Sequence, residues 1–600
     1  MITTTSTDGV RTLTTPTTGQ IRGGIVFRVG YHDEPFTYRG VTHLIEHLAL
    51  FRMGLTDFHY NGTTGPQFTH FFSQGTAQEV TDFIVGVCRA LADLPLERLE
   101  TEKRVLDTES HGRSTSMGTL MDIWRFGAAG TMTQWGLPTL TPPMVNDWVR
   151  RHFTRENAVI WFAGPQPPAI DQLDLPSGTV QPLPAYRDLV AAYPGFFNHD
   201  ARTIGWQTVV PRSTAAVIYT DVLKRQLFRD LRQDTGYSYT IDSDYSHLDA
   251  ARAQLTCLAD ADAANVDAAL GGFVDALAQL RWGRIDPDSL AAAIAQQRQT
   301  LAHPDYEALT LPTDAGGLLI GGPISTREQL LAELDEVDDA AVHRVAEDAA
   351  ATMLLAVPNG HGASWAGYTR VPSQEEPVVG QTFAPVDGSD AQMVVGMDGV
   401  TVKSGQGMTT VRFAHCAGML AWPDGARTLV AGDANVIKIE PTLWLLDAQA
   451  RALIDRGVPQ ELIAWQPARQ PEQIPTPATV APAATTSAPP LTVPASAVPA
   501  APAPMPQAKP APQAKPAPQA KPVTFRPVPP KGLTALRVVW IVLLVISVVW
   551  TAAVMSNLDD QTGPLASFIV VAVLPWLATG WVFTVWHSRN RAWKQSLPPQ

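Results

Sequence analysis

A chain of 600 residues is too long for one compact core, so several domains are expected. With 57 acidic against 44 basic residues and a formal net charge of -13, it has no basic field to gather a phosphate backbone, which excludes nucleic acid as an expected partner. Three widely spaced cysteines, Cys88, Cys257 and Cys416, exclude a disulfide framework or a CxxC metal knuckle and fit a reducing compartment.

Met1 to Thr18 is Thr-rich and lacks the basic start and apolar run of a secretory leader, so the N-terminal part is expected to stay in the cytoplasm. From about Thr12 to Asn359 short Val/Ile/aromatic runs alternate with longer stretches of helical spacing, a mixed α/β pattern that divides into two units. The first, residues 1–180, carries a strand from Gly24 to Tyr31, a helix from Thr42 to Phe51 and a strand from Gln67 to Ser73. Helices follow from Glu79 to Ala92 and Leu96 to Arg113, then a strand from Ala158 to Ala163. The second, residues 190–360, opens with a strand from Thr203 to Val210 and continues with an Ala-rich helix from Ala263 to Gln279. A last helix runs from Glu336 to Ala349.

Residues 390–460 read as a small β-rich domain, strands between Met393 and Ile439 punctuated by Asp398-Gly399 and Asp424-Gly425 turns, closed by a helix from Leu443 to Arg456. That pattern weakly resembles a pleckstrin-homology-like module, but no motif supports it and a generic small β domain is the better reading. Residues 466–530 are dominated by Pro and Ala, with Pro-Gln-Ala-Lys-Pro starting at Pro506, Pro512 and Pro518; such a composition buries no core and forms an extended stalk. Residues 537–587 hold two apolar runs, Val538 to Met555 and Leu565 to Trp586, each near the roughly 20 residues a membrane-spanning helix needs. Lys531 and Arg537 precede the pair, Arg589, Arg591 and Lys594 follow it, and Asp559 and Asp560 occupy the turn. A two-helix membrane hairpin with both termini cytoplasmic is expected.

The chemistry centres on His43-Leu44-Ile45-Glu46-His47. On a helix, i and i+4 are stacked neighbours, close enough for two imidazoles to hold one zinc ion at about 2.0–2.1 Å. Glu46 then stands beside the open coordination position, placed to take a proton from water and return it to a leaving amine. Outside any wider context, these residues would as readily be surface or satisfied core.

Gly30-Tyr31-His32-Asp33-Glu34-Pro35 leading to Gly40 and then HLIEH resembles the insulinase and pitrilysin family of zinc metallopeptidases, particularly its mitochondrial-processing-peptidase branch. The resemblance implies an N-terminal domain with a strand, a loop and a metal-binding helix. A catalytic zinc needs a third protein ligand. Glu102 and Glu109, seven apart and so two turns along one helix face, resemble the family's second motif. By that resemblance Glu109 is the third ligand, and Glu102 supports a histidine. The spacer from His47 to Glu109, 62 residues (109 minus 47), is shorter than is usual in the family; a missing helix near Met53 to Asp57 would account for it. Asn61, Gly62 and Thr64 resemble the family's edge strand, which receives substrate by main-chain pairing, whereas His70 reads as a strand residue. Arg232 and Tyr239, around Gly236, match an Arg/Tyr pair that positions substrate and stabilises an oxyanion; without the family, Arg232 is an ordinary helix residue and Tyr239 equally a core one.

The resemblance covers about Thr12 to Asn359 and supplies one half of the family's clamshell. Because both motifs lie in that half, a homodimer is expected, the alternative being a heterodimer with a related half. The expected function is that of a membrane-anchored zinc endopeptidase acting on small or unfolded peptides. The alternative is a catalytically inactive peptidase-like scaffold that binds peptides or proteins at the membrane.

Overall fold

The computed structural model describes residues 2–54, 59–112, 116–166, 169–186, 188–371, 376–405, 407–433 and 435–477. Most of the Pro/Ala-rich stretch and both apolar runs of the expected membrane hairpin lie outside the described residues, and among the described residues no helix is long and apolar enough to cross a membrane.

The first sheet contains β1 (Thr3–Thr7), β2 (Val10–Thr15), β3 (Ile21–Phe27), β4 (His59–Thr64), β5 (Thr69–Gly75) and β6 (Ala158–Ala163), in the order β1-β2-β6-β3-β5-β4. Only β2 and β6 run parallel. Its helices are α1 (Val41–Phe51), α2 (Ala77–Ala92), α3 (Leu99–Gly112), α4 (Met117–Phe126) and α5 (Pro142–His152). Val41, Leu44, Ile45 and Leu48 share one face of α1 and are fully buried, and the helical period therefore turns His43, Glu46 and His47 toward the opposite side.

The second sheet comprises β7 (Gly195–His199), β8 (Thr203–Pro211), β9 (Ile241–His247), β10 (Arg252–Asp260), β11 (Leu354–Pro358) and the two-residue β12 (Thr369–Arg370). Its succession β7-β11-β8-β10-β9 repeats β2-β6-β3-β5-β4 in order and in direction. With it go α6 (Thr214–Leu227), α7 (Val266–Arg281), α8 (Pro287–Leu301), α9 (Tyr306–Leu319), α10 (Arg327–Asp335) and α11 (Asp339–Ala350). A π-helical stretch, Phe228–Asp234, continues α6.

The two units exchange a helix. Ala308, Leu311, Ala315 and Leu319 of α9 pack on Leu13, Val26, Val159 and Trp161 of the first sheet. Met117, Met121 and Trp124 of α4 cover Phe197, Leu354 and Ala356 of the second. Each sheet thus has one face closed by the other unit's helix, which joins both into one body.

The third region is built from two meanders, β13 (Gly380–Phe383) to β14 (Gln392–Gly396), β15 (Gly399–Ser404) and β16 (Gly407–Arg412), and then β17 (Cys416–Ala421), β18 (Arg427–Ala431) and β19 (Val436–Ile439). α12 (Ala448–Gly457) packs against β14 and β15, and β20 (Ile463–Trp465) adds in parallel to β17. The helix expected from Leu443 starts at Ala448 because Asp447 caps it, its carboxylate accepting from the Ala450 N–H at 2.7 Å.

This domain docks on the first unit. Phe36 packs with Val430 and Ala464, and a Cβ on Gly418 would lie 2.1 Å from the Phe36 ring. The Ala128 N–H donates to the Gly432 carbonyl at 2.9 Å, while Phe36 stacks on Trp135 with centroids 5.2 Å apart.

Two differences from the sequence reading follow from local chemistry. The Thr-rich start forms the β1-β2 hairpin, consistent with the β preference of threonine. The strand expected to reach Tyr31 ends at Phe27, and the Asp33 carboxylate then holds a short turn by accepting from the Gly30 N–H at 2.8 Å.

Candidate metal centre

His43 and His47 stand one turn apart on α1, their rings perpendicular with centroids 4.9 Å apart. Glu109, from α3, faces both: 3.9 Å separates it from His43 Nε2 and 3.5 Å from His47 Nε2. One ligand atom of each residue lies within 4.8 Å of the other two, the grouping expected of two histidines and a third ligand. A tetrahedral zinc bonded at about 2.0–2.1 Å sets its ligand atoms about 3.4 Å apart, close to the His47–Glu109 separation. The short spacer therefore does not keep Glu109 away; α1 ends at Phe51 and β4 begins at His59, and residues 55–58, where most of the missing helix was expected, lie outside the described residues.

The groups behind the ligands also fit a metal. A histidine that binds through Nε2 carries its proton on Nδ1 and needs an acceptor there. The Gln134 carboxamide meets His43 Nδ1 at 2.8 Å, and its Oε1, otherwise buried without a partner, supplies that acceptor when the amide turns over. Glu102 lies 3.6 Å from His47 Nδ1, its other oxygen accepting from Arg98 at 2.8 Å. The helix itself is anchored by Glu34, whose carboxylate accepts from the Gly40 and Thr42 N–H groups, each at 2.8 Å. An acidic group at a helix N-terminus is favourable there. Burial pushes the Glu34 carboxyl up, opposed by Arg39 and by those two N–H groups. Gly40 sits at φ +100°, a conformation that favours glycine.

Glu46 accepts from the Thr64 hydroxyl at 2.7 Å. A Cβ at Gly62 would come within 2.8 Å of Glu46 Cγ, so β4 lies directly against this carboxylate. Ligands, Glu46, Tyr31, Gln134 and residues 61–64 line one cavity of about 410 Å³. β4 ends the first sheet, so its outer row of main-chain groups has no neighbouring strand among the described residues. Of the three residues expected on this strand, Thr64 gives its hydroxyl to Glu46, Gly62 makes room for it, and Asn61 accepts from the Gly62 N–H at 3.0 Å.

Two expected residues do not join the others. The Arg232 guanidinium lies 4.6 Å over the ring of Tyr239, which is 74% exposed, and neither lines the cavity. His70 is a strand residue, its Nε2 accepting from the Trp161 indole at 2.9 Å. His32 is buried and its basicity falls to about 3 through burial and the charges of Arg39 and Arg28, so it stays neutral behind the site. Glu34 and Gln134 are additions the sequence reading lacked. The first was open to inference as a carboxylate just ahead of a helix start, whereas Gln134 lies 91 residues from His43 with no local signal.

No family model matches the sequence, nor does any curated protein. Solved structures do. A protease from Helicobacter pylori aligns with TM-score 0.50 and 14% identity over 60% of this chain and 99% of its own. An inactive peptidase domain from Pseudomonas fluorescens gives 0.49 and 12% over 63% and 100%. The first half of the periplasmic protease PqqL from Escherichia coli gives 0.47 and 12% over 61% and 93%. The chain shares its fold with the first of these.

Proposed function

We propose that this chain is a zinc-dependent endopeptidase, with His43, His47 and Glu109 holding the metal. The observation that carries the reading is their convergence beside Glu46 and an open sheet edge. A zinc ion bound there supplies Lewis acidity, polarising an amide carbonyl and acidifying water. An extended peptide pairs with the outer edge of β4, which lays its main chain across the cavity. Glu46 takes the proton from the attacking water and returns it to the leaving amine. The Thr64 hydroxyl and the tight fit at Gly62 hold that carboxylate in place. Gln134 and Glu102 keep the two imidazoles oriented.

Arg232 and Tyr239 stand apart from the cavity, so they act only if a second body brings such a pair to it. Pairing with a second copy is the arrangement we propose, a related half being the alternative. Kinship with the mitochondrial-processing-peptidase branch, the membrane hairpin and a cytoplasmic site rest on the sequence patterns alone. The inactive-scaffold reading is favoured by the separation of Arg232 and Tyr239, and disfavoured by the orientation of Glu109 toward both histidines. Glu46→Gln decides between them: the variant should retain zinc and lose peptide hydrolysis. Hydrolysis equal to that of the unaltered protein would overturn the assignment.

A further inference from the structure

The metal cavity adjoins a larger hollow of about 1210 Å³; His43, Met132, Thr133 and Gln134 line both. The hollow runs along α3, and its far wall belongs to the β domain and the chain just after it: Leu420, Trp422 and residues 466–469. The docking described above sets this wall. Phe36 and Trp135, which bracket the entry to α1 and the Gln134 segment, are the residues on which the β domain rests.

We propose that the β domain forms a side-chain subsite of the peptide groove. A substrate paired with β4 continues past His43 into the hollow and sets a large apolar or aromatic side chain against Trp422, Leu420 and Met132. The inference rests on the peptidase reading and adds specificity to it. The four residues common to both linings set the hollow beside the strand edge that would hold a peptide, which selects a substrate segment as the occupant. The wall chemistry agrees. Met132 is 44% exposed at the junction. Of the three cations that line the hollow, Lys103 pairs with Glu100 at 2.8 Å, and Arg469, lying over the Trp422 ring, pairs with Glu440 at 2.8 Å and Asp424 at 2.7 Å, while Arg104 donates to the Thr101 hydroxyl at 3.4 Å. Glu100 and Asp107 also line the hollow and oppose an acidic ligand, whereas an apolar side chain gains by leaving water against Trp422, Leu420 and Met132.

The test uses the full-length protein and fluorescent peptides in which phenylalanine replaces alanine at one position after another. At one position the unaltered protein should prefer phenylalanine about tenfold or more in kcat/KM, and Trp422→Ala and Met132→Ala should each erase most of that ratio. Met132 is exposed on the first unit, so its variant does not depend on the β domain's folding. An unchanged ratio in both variants overturns the subsite. If the unaltered protein cleaves nothing, the peptidase reading fails separately, and fluorescence anisotropy of the same peptides still decides the groove. Binding about tenfold weaker in the variants sustains it, and equal binding rejects it. If a synthetic peptide of residues 506–522 displaces the probe as well as the phenylalanine peptide does, the occupant is the chain's own Pro/Ala segment and the proposal falls.

Discussion

Gly62→Ala tests whether β4 positions Glu46 as the general base proposed above. Gly62 lies in a strand and has no positive φ, so alanine suits the backbone there. The new Cβ would nonetheless stand 2.8 Å from Glu46 Cγ, 3.0 Å from its Oε1 and 3.0 Å from Leu50 Cδ1. Carbon contacts relax at about 3.5–4.0 Å, so Glu46 must retreat by about 0.5–1 Å. A displacement near 1 Å costs about a hundredfold in rate, equivalent to about 2.7 kcal/mol of barrier. Overpacking should cost about 1–3 kcal/mol of stability, well short of unfolding most domains. Peptide turnover, metal content and Tm are measured together. The account expects about a hundredfold lower kcat/KM with zinc retained. Turnover within about twofold of the unaltered protein, or a loss of turnover that merely follows loss of zinc, would show that the contact at Gly62 does not position Glu46.

Gln134→Leu removes the acceptor behind His43 and should weaken zinc binding by about 10–100-fold in a chelator competition, with the circular dichroism spectrum unchanged. Glu102→Ala should do the same through His47, and an unaltered affinity in either variant would show that its partner does not orient the ring. Burial pushes the Asp122 carboxyl from 3.8 up to about 6, although Gln207 and Gln254 donate to it. The folded protein therefore keeps a proton there that the unfolded chain has lost, and stability from this group falls as pH rises from about 4 to about 6. Asp122→Asn keeps the acceptor without the charge, so above pH 6 it should gain up to about 3 kcal/mol and flatten that part of the pH profile in denaturant titrations. Leu311→Ala, in the helix that α9 contributes to the other unit's sheet, should cost about 2–5 kcal/mol. It should lower one shared unfolding transition of residues 2–371; two transitions moving separately would contradict the exchange.

The helix that carries His43, Glu46 and His47 was legible because its information is local. His43, Glu46 and His47 follow the helical period, and the buried positions Val41, Leu44, Ile45 and Leu48 fix which face they occupy. Glu102 and Glu109 were legible for the same reason on α3. What escaped is long-range. An apolar stripe announces that a face is buried but not what covers it, so nothing in Ala308, Leu311, Ala315 and Leu319 told that they lie on the first unit's sheet. Gln134 reaches His43 through a segment held by Arg39, which donates to the Ala129 carbonyl at 3.2 Å, a connection with no sequence pattern. The β domain's contact at Phe36 depends on a glycine at 418 that reads only as a residue in a strand. Arg232 and Tyr239 were found as a pair and do pair, but their distance from the cavity follows from where the second sheet lies, which periodicity does not encode.

The central claim is that His43, His47 and Glu109 bind one metal ion. X-ray absorption at the zinc edge of the purified full-length protein tests it most directly, alongside metal quantitation. One zinc per chain is expected, with a nitrogen and oxygen shell at about 2.0–2.2 Å that is lost on His47→Ala. Absence of stoichiometric zinc, a sulfur shell, or a spectrum untouched by His47→Ala would contradict it.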